Sequence, residues 1–135
     1  MAPYFLAKLV IPHMRRERRG DIVIVSSVAA FKLLPNTACY SMGKAAAEVL
    51  SGILAKEERE HGIRCNVVGP SLTDTAMGRG AVTRLFGAKE IHDLDASMPF
   101  GHVCSPREVA AAIVYLVSDA NPYASGQKFY IDGGG

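Results

Sequence analysis

Apolar side chains recur at helical spacing near the start of the chain, with Phe5, Leu6, Leu9, Val10 and Met14 on one stripe. The stripe predicts a helix over 4–19, kinked at Pro12 and stopped by the arginine run and Gly20. The period then changes. Ile22 to Val25 form an unbroken β-branched run, as in a strand covered on both faces of a parallel sheet, and Ser26 and Ser27 end it.

A loop over 28–38 leads to a second helix over 40–60. Ala46, Val49, Leu50, Ile53 and Leu54 are expected on its core face, with the charged run Lys56 to Glu60 in solvent. His61 and Gly62 stop it. A second strand over 63–68 runs into the breaker Gly69-Pro70-Ser71. The mixed, glycine-rich stretch 72–104 reads as a lid or binding loop with at most short helices. Ser105, Pro106 and Glu108 then make a capping box ahead of an apolar helical stripe, and 126–135 closes the chain as a third strand.

Helix and strand thus alternate, with crossovers long enough to join parallel strands, which predicts α/β architecture. The strands are expected side by side in chain order, leaving the first at a raw edge. In such sheets ligands sit beyond the carboxyl ends of the strands, where Ser27 and the turn 69–75 both fall.

Composition narrows the classes. The 135 residues, 49% apolar and 21% charged with a formal charge of +2, have the balance of one globular domain and exclude a disordered or fibrous chain. So small a charge gives no electrostatic reason to expect nucleic acid, and the run Arg15, Arg16, Arg18 and Arg19 reads as cations at a helix C-terminus. Cys39, Cys65 and Cys104 show neither a disulfide framework nor a zinc spacing, which suits a reducing, cytoplasmic compartment without a metal site. His13, His61, His92 and His102 are scattered and read as surface or cap residues. The apolar opening 2–12, broken by Lys8 and Pro12, is too short for a membrane span and lacks the form of a signal peptide.

The candidate chemistry lies in Tyr40 and Lys44, four residues apart and hence neighbours on one helix face. An ammonium there favours the phenolate and suits Tyr40 to proton transfer, although the same spacing on a helix surface often means only a cation near a ring. Ser27 could hydrogen-bond the carbonyl that Tyr40 protonates, or be a turn serine satisfying its own backbone.

Taken together, Ile22-Val-Ile-Val-Ser-Ser27, Tyr40-Ser-Met-Gly-Lys44, the stretch Gly62 to Met77 and the closing Gly126 to Gly135 resemble the C-terminal half of the short-chain dehydrogenase/reductase (SDR) family, from end to end of the chain. The resemblance implies a Rossmann-like, doubly wound parallel sheet, with residues 1–135 as its partial domain. It implies an oxidoreductase passing hydride between NAD or NADP and a ketone or secondary alcohol, 3-oxoacyl reductases being one such type. Ser27 would orient the substrate, Tyr40 would be the acid/base, and Lys44 would bind the nicotinamide ribose. Pro70, Ser71, Thr73 and Thr75 would meet the cofactor, with Ser71 standing where the family has glycine. The helices 4–19 and 40–60 would pair with their twins in a homo-oligomer, a dimer or tetramer.

The glycine-rich dinucleotide turn and the family's Asn-Asn-Ala-Gly segment do not occur before Ser27, so the chain is expected to begin inside the family's fold, without the dinucleotide-binding half. An alternative follows: a truncated, inactive product acting only as a non-catalytic subunit or interaction module.

Overall fold

A computed structural model describes residues 2–135. The order is α1 (Ala2–Glu17), β1 (Gly20–Val25), α2 (Ala29–Lys32), α3 (Ala38–Glu57), β2 (Ile63–Pro70), α4 (Ala76–Phe86), α5 (Pro106–Val117) and β3 (Lys128–Ile131), with short 3₁₀ turns after α3 and α4. The three strands are parallel in the order β1-β2-β3, as the alternation of periods predicts.

Two layers of helix cover the sheet. On one face Ala7 and Ile11 of α1 and Leu54 and Ala55 of α3 close over Ile63 and Cys65 of β2. On the other, Val109 and Leu116 of α5 pack on Val68, with Val23, Phe129 and Ile131 beside them. Each fully buried Ile or Leu of this set contributes roughly 1.5–3 kcal/mol, and among the described residues β2 is the strand with neighbours on both edges. Val82, Ile91 and Val103 form a small satellite core under the stretch between β2 and α5.

Several expectations are corrected. Strand β1 has helices on both faces, Ile22 packing against the α1 and α3 core and Val23 against the α5 core, but as an edge strand paired only with β2 it is less buried than expected: Ile24 alone is buried and Val25 is 47% exposed. Helix α1 carries Pro12 inside it and ends at Glu17, short of the expected end at 19, and Gly20 opens β1 rather than capping the helix. The loop after Ser27 contains the single turn α2, closed by a bond from Lys32 N to Val28 O.

Helix α3 starts at Ala38 and ends at Glu57, and its buried residues are Ser41, Glu48, Ser51, Leu54 and Ala55, so the core face is rotated from the expected one and Ala46, Val49 and Ile53 are exposed. Nor is the charged run all in solvent. Glu58 is 2% exposed and receives Arg15 from α1, so Arg15 is a tie between helices rather than a simple cap.

Helix α4 is longer than the glycine-rich sequence suggests. Thr75 caps it, accepting from Gly78 N at 3.0 Å, and the packing of Val82 under the satellite core outweighs the poor propensity of Gly78 and Gly80. The capping box of α5 forms as predicted, with Ser105 Oγ accepting from Glu108 N and Ser105 N donating back to Glu108 at 2.7 Å. That backbone bond, with His102 and the Ser105 hydroxyl, holds the Glu108 carboxyl down to about 2. The stop expected at His61 and Gly62 falls later than the end of α3: Gly62, at φ +72°, a conformation that costs glycine little, closes the 3₁₀ turn Arg59–His61 that follows the helix.

Candidate active site

Ser27, Tyr40, Lys44 and the segment Pro70 to Thr75 all lie at the carboxyl end of the sheet. Ser27 follows the last residues of β1, and its Oγ accepts from Ala29 N at 3.2 Å, the local turn bond of a serine that opens a helical turn. That bond uses an oxygen lone pair and leaves the hydroxyl hydrogen to donate elsewhere. Tyr40 sits in the first turn of α3 with 44% of its surface exposed.

Lys44, one turn on, reaches across to β1 and donates to Val25 O at 2.9 Å, while its Nζ stands 5.6 Å from the centroid of the Tyr40 ring. Lys44 therefore joins the strand that carries Ser27 to the helix turn that carries Tyr40. An ammonium has three donors, so two remain for other partners.

The β2 end is linked to the same place. Val28 N, next to Ser27, donates to Pro70 O at 3.0 Å, and Ser71 N continues the ladder to Ile131 O. Ser71 is not among the residues with positive φ, so serine fits where the family carries glycine. Thr73 turns its hydroxyl to Ser71 O at 3.0 Å and bridges to Cys104, and Thr75 is engaged as the cap of α4. Asp74 pairs with Arg79, which holds its carboxyl below the ordinary range.

Beneath these residues lies a group the sequence reading passed over. Glu48 is 4% exposed and accepts from Ser26 Oγ at 2.6 Å, Lys128 Nζ at 2.9 Å and Tyr130 OH at 3.0 Å. Burial pushes its carboxyl up, and the three donors more than reverse this, leaving it below the ordinary carboxylate range. Burial and the same carboxylate push the Tyr130 phenol up to about 12. Tyr130 lies over Gly69, where a Cβ would collide with its ring, and the ring meets Phe31 edge-on at 4.6 Å between centroids. The signal available in the sequence was a charged residue one turn after Lys44, within an otherwise alanine and aliphatic segment.

Two open hollows flank the fold. One of about 450 Å³ lies between the α2–α3 loop and α3, lined by Leu33, Leu34, Pro35 and Met42 among others. The other, about 540 Å³, is at the amino end of the strands around Gly20 and Ile63, away from the candidate site.

A parallel sheet with helices on both faces, and hydroxyl, phenol and ammonium groups gathered at its carboxyl end, defines a Rossmann-type α/β fold. The family model described as enoyl-(acyl carrier protein) reductase matches residues 1–135, and the chain belongs to the short-chain dehydrogenase/reductase family. It is 36% identical to the 2-keto-3-deoxy-L-fuconate dehydrogenase of Xanthomonas campestris, over 98% of this chain and 45% of that protein. Among solved structures it resembles the aldohexose dehydrogenase of Thermoplasma acidophilum, at 32% identity and TM-score 0.87, covering 97% of this chain and 53% of that one. A 7α-hydroxysteroid dehydrogenase, solved with NADH and 7-oxo glycochenodeoxycholic acid, gives 29% identity and TM-score 0.87 over 98% of this chain and 50% of that one. The chain thus spans about half the length of the relatives it matches.

Proposed function

We propose that this chain carries the proton-transfer half of a nicotinamide-dependent oxidoreductase, which interconverts a ketone and a secondary alcohol with NAD or NADP. The observation that carries the reading is Lys44, bonded to the strand end before Ser27 and standing beside the Tyr40 ring. The donor set suits the nicotinamide end of such a cofactor. Lys44 has spare donors for ribose hydroxyls, and Pro70, Ser71, Thr73 and Thr75 border the same strand ends with backbone and hydroxyl groups.

A bound reduced nicotinamide would supply the hydride to the carbonyl carbon. As the C=O bond opens, its electron pair passes to oxygen, where Tyr40 delivers its phenolic proton. Ser27 donates its hydroxyl hydrogen to that oxygen and holds it in place. The Lys44 ammonium, 5.6 Å from the centre of the Tyr40 ring, places a positive charge beside the phenol from which the proton leaves. Oxidation runs the same steps in reverse, with the Tyr40 phenolate taking the alcohol proton.

The relatives act on substrates as different as a keto-deoxy sugar acid, an aldohexose and a hydroxysteroid, so the proposal stays with a small-molecule carbonyl or alcohol. A homo-oligomer is part of it, since Phe5, Leu6 and Leu9 of α1 and Val49 and Ile53 of α3 present apolar surface outward.

The test is Tyr40→Phe in the enzyme that carries this chain. It keeps the ring and removes the proton, so turnover should fall ~100-fold or more while nucleotide affinity stays nearly constant. Near-normal turnover in Tyr40→Phe would sink the assignment.

A further inference from the structure

Glu48 follows Lys44 by one turn of α3, and its carboxylate lies inside the protein with donors from both edge strands of the sheet. Ser26 comes from the end of β1, beside Ser27. Lys128 and Tyr130 come from β3, and the Tyr130 ring reaches α3 only because Gly69 of β2 has no side chain. A buried carboxylate is a poor way to gain stability, since an apolar side chain of similar volume often does as well or better without the desolvation cost. What a carboxylate provides here is direction: hydrogen bonds to donors at fixed places on two strands. Ser26 Oγ also lies 3.5 Å from Lys44 O, and Lys44 Nζ is bonded to Val25 O, so the end of β1 is bound to this one stretch of α3 by side chains from both elements.

We propose that Glu48 is a positioning residue of the site, the anchor that sets Ser27 at the end of β1 against Tyr40 and Lys44 on α3. The inference rests on the proposed proton-transfer roles of those three residues. Glu48 touches no reacting atom; it acts through Ser26, while Lys128 and Tyr130 hold its second oxygen and keep the carboxylate from turning away.

The experiment compares Ser26→Ala, Glu48→Leu, Glu48→Gln and Lys128→Met in the cofactor-loaded enzyme, by kcat, KM and Tm, together with amide hydrogen exchange at Ser26 and Lys44. Ser26→Ala and Glu48→Leu are each expected to lower kcat ~10-fold, with nucleotide KM within about twofold, because small misplacements of reacting groups are costly. The double variant Ser26→Ala/Glu48→Leu should lose no more than either alone, since both cut one bond. Glu48→Gln keeps a carbonyl oxygen for Ser26 and is expected to restore kcat to within ~3-fold of the parent, on the same geometric ground. Lys128→Met removes only the half-exposed lysine of the pair and leaves the buried Glu48 carboxylate with its Ser26 and Tyr130 donors, and is expected to lower Tm with kcat changed less than about twofold.

A kcat loss that tracks Tm across all the variants, or one that multiplies in the double variant, would overturn the anchor and leave Glu48 a structural residue. An enzyme with no carbonyl reductase activity would defeat the proposed function separately. Hydrogen exchange then decides the anchor: faster exchange at Ser26 and Lys44 in Glu48→Leu but not in Lys128→Met supports it, and unchanged exchange overturns it.

Discussion

The Arg15 guanidinium holds the Glu58 carboxylate through two nitrogens, Nε at 2.7 Å and Nη2 at 2.6 Å, and so fastens α1 to the end of α3. Both helices pack on the face of the sheet that includes Ile63 and Cys65, so the pair closes the edge of that core. The bond to Arg15 keeps the Glu58 carboxyl below its ordinary range.

Arg15→Leu leaves that carboxylate buried and without its guanidinium. An uncompensated buried acceptor costs roughly 1–3 kcal/mol, so denaturant unfolding should show a loss of that order. The sign with pH follows from the depressed folded value. The contribution is complete above the ordinary carboxylate range and disappears as pH falls through the folded value. The gap between parent and Arg15→Leu should therefore narrow on acidification below about pH 4.5, the unfolded reference. A gap that holds constant to low pH would rule the pair out as its source.

Gly69 has no side chain because the Tyr130 ring occupies that space. Gly69→Ala forces the ring to move away from Glu48 and Phe31, and overpacking of this kind costs typically 1–3 kcal/mol. A thermal melt of Gly69→Ala that matches the parent would mean the ring has somewhere else to go.

Lys44→Met removes an ammonium while keeping the length and bulk of its stem. If Lys44 binds ribose as proposed, nucleotide affinity should fall by ~10-fold, the loss of a charge-assisted hydrogen bond. Titration of nicotinamide fluorescence measures it. Unchanged affinity would confine Lys44 to its structural bond with Val25.

The outward stripes of α1 and α3, with Leu9 at 68% and Val49 at 62% exposure, are expected to associate with a second copy. The outer edge of β1 adds unpaired backbone groups, and the 135-residue chain alone should be marginally stable, prone to associate and a weak binder of NADH and NADPH. Light scattering against concentration should show assembly that Leu9→Glu and Val49→Glu reduce. A stable monomer binding either nucleotide at micromolar concentration would overturn this expectation.

Much of the fold could be read directly from residue order. Ile22 to Val25 and Ile63 to Val68 declared their strands by β-branched and apolar runs, although β2 continues through Gly69 and Pro70, read as a breaker, and the closing strand, read over 126–135, keeps only Lys128 to Ile131; Ser105-Pro-Arg-Glu108 declared its helix by chemistry that acts within one turn. Tyr40 and Lys44 were legible for the same reason, since four residues on a helix fix two side chains on one face. For Ser27 the sequence left two readings open, a turn bond and a hydrogen bond to substrate, and the structure shows the turn bond.

Other features depended on groups far apart in sequence. Which stripe of α3 is buried was settled by where α1 and β2 lie, which turned Val49 and Ile53 outward and Glu48 inward. Glu58 left the solvated run because Arg15, 43 residues away in sequence, meets it. Glu48 itself looks like any helix-surface acid until Ser26, Lys128 and Tyr130 converge on it from two strands. Periodicity and capping act through neighbours within a few residues, so the sequence alone determined the three strands, the helices α1, α3 and α5 and the face of the Tyr40–Lys44 pair, while α2 and the length of α4 came from the tertiary structure. Burial and the partners of a buried charge depend on the whole sheet, whose assembly brings those partners within bonding distance, and only the tertiary structure decided them.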